Sequence, residues 1–358
     1  MARATLRSMR RSRKWIEDEL RARIRRGDYP PGSRMPTHRL LQAELEASSA
    51  TLQKAFDRLA EQGFVTAHGA MGTFVAQALP NVSRIALVLP EAVGVGPWNR
   101  FWATGKRVAE EWDDGAHSFR CYHLAGGSVD SEGYHQLCRD AADGGIAGMV
   151  FMTAPYFLKG TELLSVDIPR VILPGRPGDC ATYGASVVAM MPGTVLETVV
   201  QRFAAAGRRR LAAITGRNQG PGWMERCLPL LRAHGIATRP EWWLGMPVST
   251  EAADCSRGVA QLLFSLPERQ RPDALLITDD NLVPHVTAGM LDAQPDGVLD
   301  VTVVGHANFP GVTRAAVPCF RFDSDMVGLL RTAVEEIDRL IGGNPPRLTE
   351  VEQVVREG

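Results

Sequence analysis

The sequence predicts an α/β protein that consists of a small N-terminal head and a larger domain with two lobes, each built on a parallel sheet. Two observations carry this prediction. Residues 15–75 combine apolar positions at helical spacing with a short two-stranded pattern. The residues after 83 alternate short apolar strands with amphipathic helices in two separate series, which is typical of parallel sheets flanked by helices.

A helix, a short turn and a second helix are predicted between Thr37 and Gln62. Thr37 and Ser48 each precede an apolar run, and their side-chain oxygens suit the free N–H groups of a first helical turn. One buried stripe at i, i+3, i+4 and i+7 is formed by Leu52, Ala55, Phe56 and Leu59. The outer face then presents polar and basic side chains that a DNA major groove accepts, namely Ser49, Gln53 and Lys54.

Two short strands follow, over Phe64–Ala67 and Thr73–Ala76. They are joined by the tip sequence His-Gly-Ala-Met-Gly at residues 68–72. A hairpin of this size, placed directly after a helix-turn-helix, indicates a wing.

Residues 15–75 resemble the winged helix-turn-helix of GntR-type bacterial transcriptional regulators. Many separate spacings carry the resemblance: Ile16, Leu20, Ile24, Gly27, Pro31-Gly32, Met35-Pro36-Thr37, Arg39, Leu41, Ser48, Thr51-Leu52, Leu59, Gly63-Phe64-Val65 and Gly72-Thr73-Phe74-Val75. The resemblance implies a DNA-binding regulator. The residues then expected to contact DNA are Arg39, Ser48, Ser49, Thr51, Gln53, Lys54, His68, Gly69 and Thr73.

The sequence departs from this family at positions that contact DNA. Ser49 and Gln53 stand where members commonly carry arginines, and Ala70-Met71 replace the usual Gly-Lys of the wing. A glutamine pairs bidentately with adenine, whereas arginine favours guanine. We therefore expect DNA binding with an altered base preference. The alternative is a small helical domain that only mediates dimer or protein contacts.

Charge is distributed unevenly along the chain, although the net charge is zero. Residues 1–80 hold 14 Lys and Arg against 8 Asp and Glu, so the head is basic and the remainder is acidic. This distribution is typical of a phosphate-binding module attached to a module that does not bind DNA. Residues 1–12 are either a disordered, solvated arm or an arm that touches phosphates without reading sequence.

Composition indicates a soluble, cytoplasmic protein. No apolar run approaches the roughly 18–20 residues of a transmembrane helix. The basic N-terminus lacks the apolar segment of a secretory signal. The six cysteines are scattered without a CxxC pair, which favours reduced thiols over a disulfide framework.

Residues 80–83, Pro-Asn-Val-Ser, are predicted to link a DNA-binding domain at 1–79 to an effector-binding domain at 84–358. In the latter we predict strands at 85–89, 119–124, 148–152, 170–173, 210–215, 274–278 and 301–305. The predicted helices are 98–112, 134–142, 192–206, 223–234, 253–266, 282–291 and 325–341.

This second domain resembles the effector domain of LacI-type repressors, which has a bilobed, periplasmic-binding-protein-like (type I) fold. The matching segments are 83–90, 145–150, 168–171, 206–212, 230–236, 271–275 with Asp280, 301–305 and 323–343. The resemblance implies a sugar or related metabolite bound between the lobes. Met190-Met191-Pro192 stand where the family usually has an acidic residue, and Val195 replaces an arginine that contacts sugar in some members.

Ligands of such sheets lie beyond the carboxyl ends of the strands, in the cleft between the lobes. Trp98 and Trp102 are candidates for stacking on a sugar ring, although Trp102 also suits a helix core. Asp280 matches the family aspartate that accepts hydrogen bonds from ligand hydroxyls. Further candidates at strand ends are Asn99, Thr153, Arg176, Arg217 and His306, and surface exposure is the alternative for both arginines.

Enzyme motifs are absent from the sequence: there is no GxxxxGK[ST], HExxH or GxSxG. An aminotransferase-like domain needs a Schiff-base lysine, and beyond the head the chain offers only Lys106 and Lys159. The histidines lack metal-ligand spacing. We therefore expect no catalysis, cofactor or metal.

The combined prediction is a homodimeric transcriptional regulator that acts as a repressor. A sugar or related small metabolite is expected to control its affinity for a pseudo-palindromic operator. No membrane partner is expected. The alternative is a carbohydrate-binding sensor whose N-terminal domain mainly mediates protein assembly. A steep dependence of DNA affinity on salt separates the two hypotheses.

Overall fold

A computed structural model of the chain describes residues 12–77, 83–91, 100–124, 128–142, 145–216, 222–248, 253–294 and 299–356. The predicted basic arm up to residue 11, and residues 80–82 of the predicted linker, lie outside these ranges. Within them the chain forms a small helical head with a two-stranded sheet and two six-stranded sheets flanked by helices. The predicted fold class is confirmed.

The head consists of α1 (Arg13–Arg26), α2 (His38–Glu44), α3 (Ser49–Glu61), β1 (Val65–Ala67) and β2 (Thr73–Val75). The side chains of Ser12, Thr37 and Ser48 each accept a hydrogen bond from the first turn of the following helix. The two predicted helix caps are thereby confirmed. The head has its own buried core, which includes Ile16, Leu20, Ile24, Leu41, Leu52, Ala55, Phe56, Leu59 and Val75.

Strands β1 and β2 form the predicted wing. They pair antiparallel, with Val65 opposite Val75. A 3-10 turn at Gly69–Met71 closes the tip. Gly72 follows with φ 101°, a conformation that favours glycine because it lacks a Cβ atom.

The first lobe is a parallel sheet with the spatial order β13 (Leu348–Glu352), β7 (Ser186–Met191), β6 (Arg170–Ile172), β5 (Gly148–Phe151), β3 (Arg84–Leu89) and β4 (Ser118–His123). Its helices are α4 (Arg100–Glu110), α5 (Glu132–Ala142), α6 (Asp179–Tyr183) and α11 (Met326–Ile341). The 16-residue α11 shares one buried core with α4 and the sheet. Its contribution to this core includes Leu329, Leu330, Ala333 and Ile337.

The second lobe is a sheet with the order β14 (Val354–Arg356), β12 (Phe320–Asp325), β11 (Thr302–Phe309), β10 (Ala274–Ile277), β8 (Leu211–Gly216) and β9 (Trp243–Met246). All pairs are parallel except β12 with β14. Helices α7 (Pro192–Ala205) and α8 (Trp223–Ala233) share one buried core, and α9 (Cys255–Phe264) and α10 (Val283–Ala293) share the other.

The chain crosses between the two sheets after β7, after β12 and after β13. Because α11 follows β12 and packs on the first sheet, the long helix begins at the junction of the lobes. Strands β7, β9, β12, β13 and β14 were not among the strands predicted from the sequence. No helix in the described ranges is long and apolar enough to cross a membrane.

Candidate DNA-binding surface and ligand cavity

The outer face of α3 carries the polar side chains that the sequence predicts there. Ser49, Gln53 and Lys54 are exposed, whereas Leu52 and Phe56 on the opposite face are buried. The Gln53 amide donates a hydrogen bond of 2.7 Å to the Asp57 carboxylate one turn later. A base that pairs with Gln53 therefore competes with this internal contact.

Ser48 has a structural role at the start of α3 in addition to its predicted contact with DNA. Its Oγ accepts a hydrogen bond from the Thr51 amide at 3.1 Å and lies 2.6 Å from the Thr51 hydroxyl. Both side chains are half-buried. They fix the first turn of α3 and leave Ser49 as the exposed polar residue of that turn.

Arg39 on α2 and His68 in the wing are also exposed. The His68 ring packs edge-on against Phe74, with 5.3 Å between ring centroids. Gly69 is exposed at the wing tip and Thr73 is half-buried at the start of β2. These positions suit the predicted contacts, which remain predictions.

Arg34 is a cation of the head that the sequence reasoning missed. Its backbone pairs with that of Phe74 in an isolated antiparallel β-bridge. Its guanidinium lies beside the wing glycine, because a Cβ added at Gly72 would come within 3.0 Å of the Arg34 Nε atom. Arg34 is exposed, so it adds positive charge to the face that carries the wing.

The head contacts the first lobe through two arginines. Arg21, which is 7% exposed, donates to Glu17 at 2.6 Å and to Gln62 at 2.8 Å within the head. It also donates at 3.0 Å to the carbonyl oxygen of Ile341, the last residue of α11. Arg58 on α3 forms an ion pair of 2.6 Å with Asp167, in the loop before β6.

A cavity of about 410 Å³ lies between the lobes. Its described wall is formed from both sheets and their connecting segments, by Phe101, Trp102, Met152, Thr153, Pro174, Met190, Val195, Leu196, Val199, Trp223, Val248, Leu276, Thr278, Asp279, Asp280, Asn281, His306, Asn308, Phe322 and Gln353. Most of the polar members belong to the second lobe. The residues after β10 and near the end of β11 meet there because both strands are parallel neighbours.

Asp280, three residues after the end of β10, is the most perturbed carboxyl group of this wall. It is 3% exposed and its Oδ2 accepts hydrogen bonds from the Asn308 amide at 2.7 Å and the Thr313 hydroxyl at 3.5 Å. Burial, reinforced by the neighbouring Asp279 carboxylate, raises the pKa of Asp280 from 3.8 to about 7. Arg100 opposes this rise by Coulombic attraction, as do the two hydrogen bonds.

Two buried side-chain oxygens of the wall residues have no hydrogen-bond partner in the part of the chain that the structure describes. They are Oδ1 of Asn308, a residue that is 1% exposed, and Oγ1 of Thr278. Buried polar atoms in folded proteins are almost always paired. Both atoms are closed to solvent, so other atoms of these two residues line the cavity.

His306 lies within β11 and is 8% exposed. Burial lowers its pKa to about 4, so the ring is neutral at pH 7. Its Nε2 is 2.9 Å from the Ser324 hydroxyl, which also accepts a hydrogen bond from the Gln353 amide at 2.9 Å. This cluster joins β11, β12 and the segment between β13 and β14 at the junction of the lobes.

The structure brings four of the predicted ligand residues to the cavity: Trp102, Thr153, Asp280 and His306. The Trp102 indole donates to the Met152 carbonyl at 3.0 Å and packs on the core of the first lobe. Arg176 lies in the turn beyond β6, where it is exposed, and it is not among the wall residues. Trp98, Asn99 and Arg217 lie outside the described residues.

Asn308 and Gln353 were not predicted from the sequence. The predicted strand ended at Gly305, whereas β11 continues to Phe309 because its last residues pair with β12. Gln353 lies between β13 and β14, which were not predicted. Within the described ranges no group of three or more His, Cys, Asp or Glu side chains is arranged to hold a metal ion.

Comparisons with known proteins agree with this architecture. The gntR family of bacterial regulatory proteins matches residues 13–75. An HTH-type transcriptional regulator of Mycobacterium tuberculosis is 34% identical over 82 residues, which are 22% of this chain and 68% of that protein.

Solved structures with the fold of the larger domain are LacI-family regulators. A LacI family transcriptional regulator from Lactobacillus casei, with bound sucrose, has a TM-score of 0.54 and 17% identity, over 76% of this chain and 98% of that chain. A probable maltose operon transcriptional repressor from Staphylococcus aureus has a TM-score of 0.57 and 11% identity, over 77% of this chain and 97% of that chain. These likenesses establish the fold of the larger domain.

Proposed function

The chain belongs to the gntR family of bacterial regulatory proteins, and from this premise we propose that it is a ligand-controlled repressor of transcription. Residues 1–79 form its DNA-binding domain, residues 80–83 the linker, and residues 84–358 the effector-binding domain. The effector is a sugar or a related small metabolite, and it binds in the cavity between the lobes. The protein acts on DNA in the bacterial cytoplasm.

The cavity supports this proposal more directly than any other feature. Asp280 and Asn308 are buried side by side in its wall and are joined by a hydrogen bond of 2.7 Å. A carboxyl group placed in a cavity between two lobes is suited to a ligand that donates hydrogen bonds, such as the hydroxyl groups of a sugar. The sucrose-bound relative supports a sugar as the first class to test.

On DNA, two copies of the head would place their α3 helices in successive major grooves of a pseudo-palindromic site. Gln53 and Ser49 are the exposed residues of α3 that face base edges, while Arg39, Lys54 and Arg34 provide positive charge for phosphates. Base preference therefore depends on Gln53. Overall affinity depends on the cations.

Ligand binding reaches the head through the first lobe. Two contacts of the head with the larger domain, from Arg21 to Ile341 and from Arg58 to Asp167, end on that lobe. Closure of the cavity rotates one lobe against the other and, in a homodimer, changes the spacing of the heads. A ligand switches the protein only if it favours one of the two states, with a coupling on the order of 1–3 kcal/mol.

Two measurements test the proposal. DNA affinity measured across a salt series should fall steeply, because phosphate contacts release counterions. A flat salt profile would instead favour the head as a protein-assembly module. Thermal shift with a panel of monosaccharides should then identify an effector, and Asp280→Ala should abolish release from DNA by that effector while operator binding remains. An Asp280→Ala protein that still responds would exclude the cavity as the effector site.

A further inference from the structure

The second-lobe wall of the cavity has layers, because strands β10, β11 and β12 run parallel and in register. Asn308 and His306 are two residues apart on β11, so both face the same side of the sheet, about 7 Å apart along the strand. Leu276 on β10 pairs with Val304, which lies two residues further from the carboxyl end of β11. The wall therefore extends roughly 13 Å into the second lobe, from Asn308 to Leu276.

The layer at the carboxyl ends of these strands is polar. Asp280 is joined to Asn308 by a hydrogen bond of 2.7 Å, which places its carboxyl group in this layer. Asp279 and Asn281 flank Asp280 in the sequence and also line the cavity. The first lobe reaches this layer through α4, because the Arg100 backbone amide donates to the Asn281 side chain at 3.0 Å. We call Asp279, Asp280, Asn281 and Asn308 the polar layer.

Deeper in the second lobe the wall is apolar. Phe322 on β12 pairs with His306 across the two strands, with 5.0 Å between their ring centroids. Burial lowers the pKa of His306 to about 4, so its ring carries no charge at pH 7. On α7, Val195 and Val199 are one turn apart and face the same buried core as Phe322 and Leu276. The wall residues that form this apolar pocket are Val195, Leu196, Val199, Leu276 and Phe322.

The change from polar to apolar wall restricts which ligand can fill the cavity. A hydroxyl group buried against apolar side chains loses its hydrogen bonds with water, which costs free energy unless a protein group replaces them. An apolar group in the same place gains free energy because it leaves water. A sugar ring therefore suits the polar layer, where Asp280 accepts hydrogen bonds, and an aromatic or branched alkyl group suits the apolar pocket.

We propose that the effector is a glycoside with an apolar aglycone, whose sugar lies in the polar layer and whose aryl or branched alkyl group fills the apolar pocket. This inference rests on the proposed function, since it narrows the sugar class named there. Phe101 and Trp102 line the cavity from the start of α4. Because α4 begins against Asn281, these two aromatic side chains receive the C–H face of the sugar ring beside the polar layer.

Matched sets of free sugars and glycosides test the inference: glucose with its methyl, isopropyl and phenyl glucosides in both anomers, and the galactose equivalents. Thermal shift and calorimetric titration of the full-length protein are the measurements. The methyl glycosides control for loss of the anomeric hydroxyl group. At least one isopropyl or phenyl glycoside should bind roughly tenfold to a hundredfold tighter than its methyl glycoside and its free sugar, as expected for the burial of one large apolar group.

Leu196→Gln should remove this preference, since it keeps the length of the side chain and places an amide in the apolar pocket. Leu196 is half-buried on α7, so the fold should tolerate the change. Leu262→Gln makes the same exchange on α9 at a position that is 74% exposed, and this matched control should retain the preference. Circular dichroism of both variants controls for folding.

Each outcome bears on a different part of the inference. A preference that survives Leu196→Gln would place the aglycone outside the apolar pocket and overturn the inference. Isopropyl and phenyl glycosides that bind no tighter than the free sugars would also overturn it and leave the proposed sugar sensor intact. If no member of the sets binds, both the glycoside and the sugar class are wrong.

Discussion

Asp280→Asn should stabilise the ligand-free protein above neutral pH, although it damages the cavity. The variant replaces a buried carboxyl group, 3% exposed, by an amide of the same shape. The oxygen of the introduced amide still accepts the hydrogen bond from Asn308 that the Asp280 Oδ2 atom accepts at 2.7 Å. The charge is lost and the packing is kept.

The magnitude follows from the pKa of Asp280, which burial raises from 3.8 to about 7. Between these values the folded protein keeps a proton that the unfolded chain has already released. Stability therefore falls as pH rises through this window and is constant above it. Across the full window the free energy of unfolding falls by about 4 kcal/mol. About 3 kcal/mol of this loss occurs between pH 5 and pH 8.

Urea unfolding at pH 5, 6, 7 and 8, followed by tryptophan fluorescence, measures this effect. Trp223 and Trp243 report on the second lobe, where their rings pack 4.8 Å apart. The wild-type free energy of unfolding should drop across the series relative to that of Asp280→Asn, and the gap should be widest at pH 8. Parallel pH profiles for the two proteins would refute the raised pKa of Asp280 and the loss of stability that its ionisation causes.

Three further predictions concern the head. Gln53→Ala should relax base specificity, whereas Arg39→Ala should weaken DNA binding uniformly. Binding assays on a set of operator variants measure both effects. Equal losses of affinity for Gln53→Ala on all variants would exclude base reading by Gln53. Leu59 is fully buried, so Leu59→Ala should lower the free energy of unfolding of the head by about 2–5 kcal/mol. DNA binding should decrease, and effector affinity should stay unchanged. Arg58→Ala removes an exposed ion pair with Asp167, so stability should change by less than about 1 kcal/mol. The ratio of operator affinities with and without effector should nevertheless fall, and an unchanged ratio would show that this contact carries no signal.

The sequence predicted the head well because its signals are local. Thr37 and Ser48 cap the helices that directly follow them, and the stripe that includes Leu52 and Phe56 repeats within one helix. The strand β13, Leu-Thr-Glu-Val-Glu, has no such signal. It is a half-exposed edge strand whose formation depends on pairing with β7, which is distant in the chain because most of the second lobe lies between them.

The cavity was predicted only in part for the same physical reason. Asp280 follows an apolar run that is visible in the sequence, so its place at a strand end was predictable. Asn308 reaches the wall because β11 continues beyond Gly305, the partner of Ile277, and places Asn308 opposite Ser324 on β12. That extension depends on a neighbouring strand that alternates polar and apolar residues. No spacing near Asn308 indicates it.

The contacts of the head constrain how a ligand acts. Arg21 and Arg58 both hold the head to the first lobe, whereas the polar wall of the cavity belongs mostly to the second. Closure that preserves both contacts moves the second lobe and leaves the head fixed relative to the first. The spacing of two heads then changes only if the subunits of the dimer also hold each other through their second lobes. A homodimer joined through first lobes alone would bind the effector without releasing DNA, so operator control requires contact between both lobes or rupture of the Arg21 and Arg58 contacts.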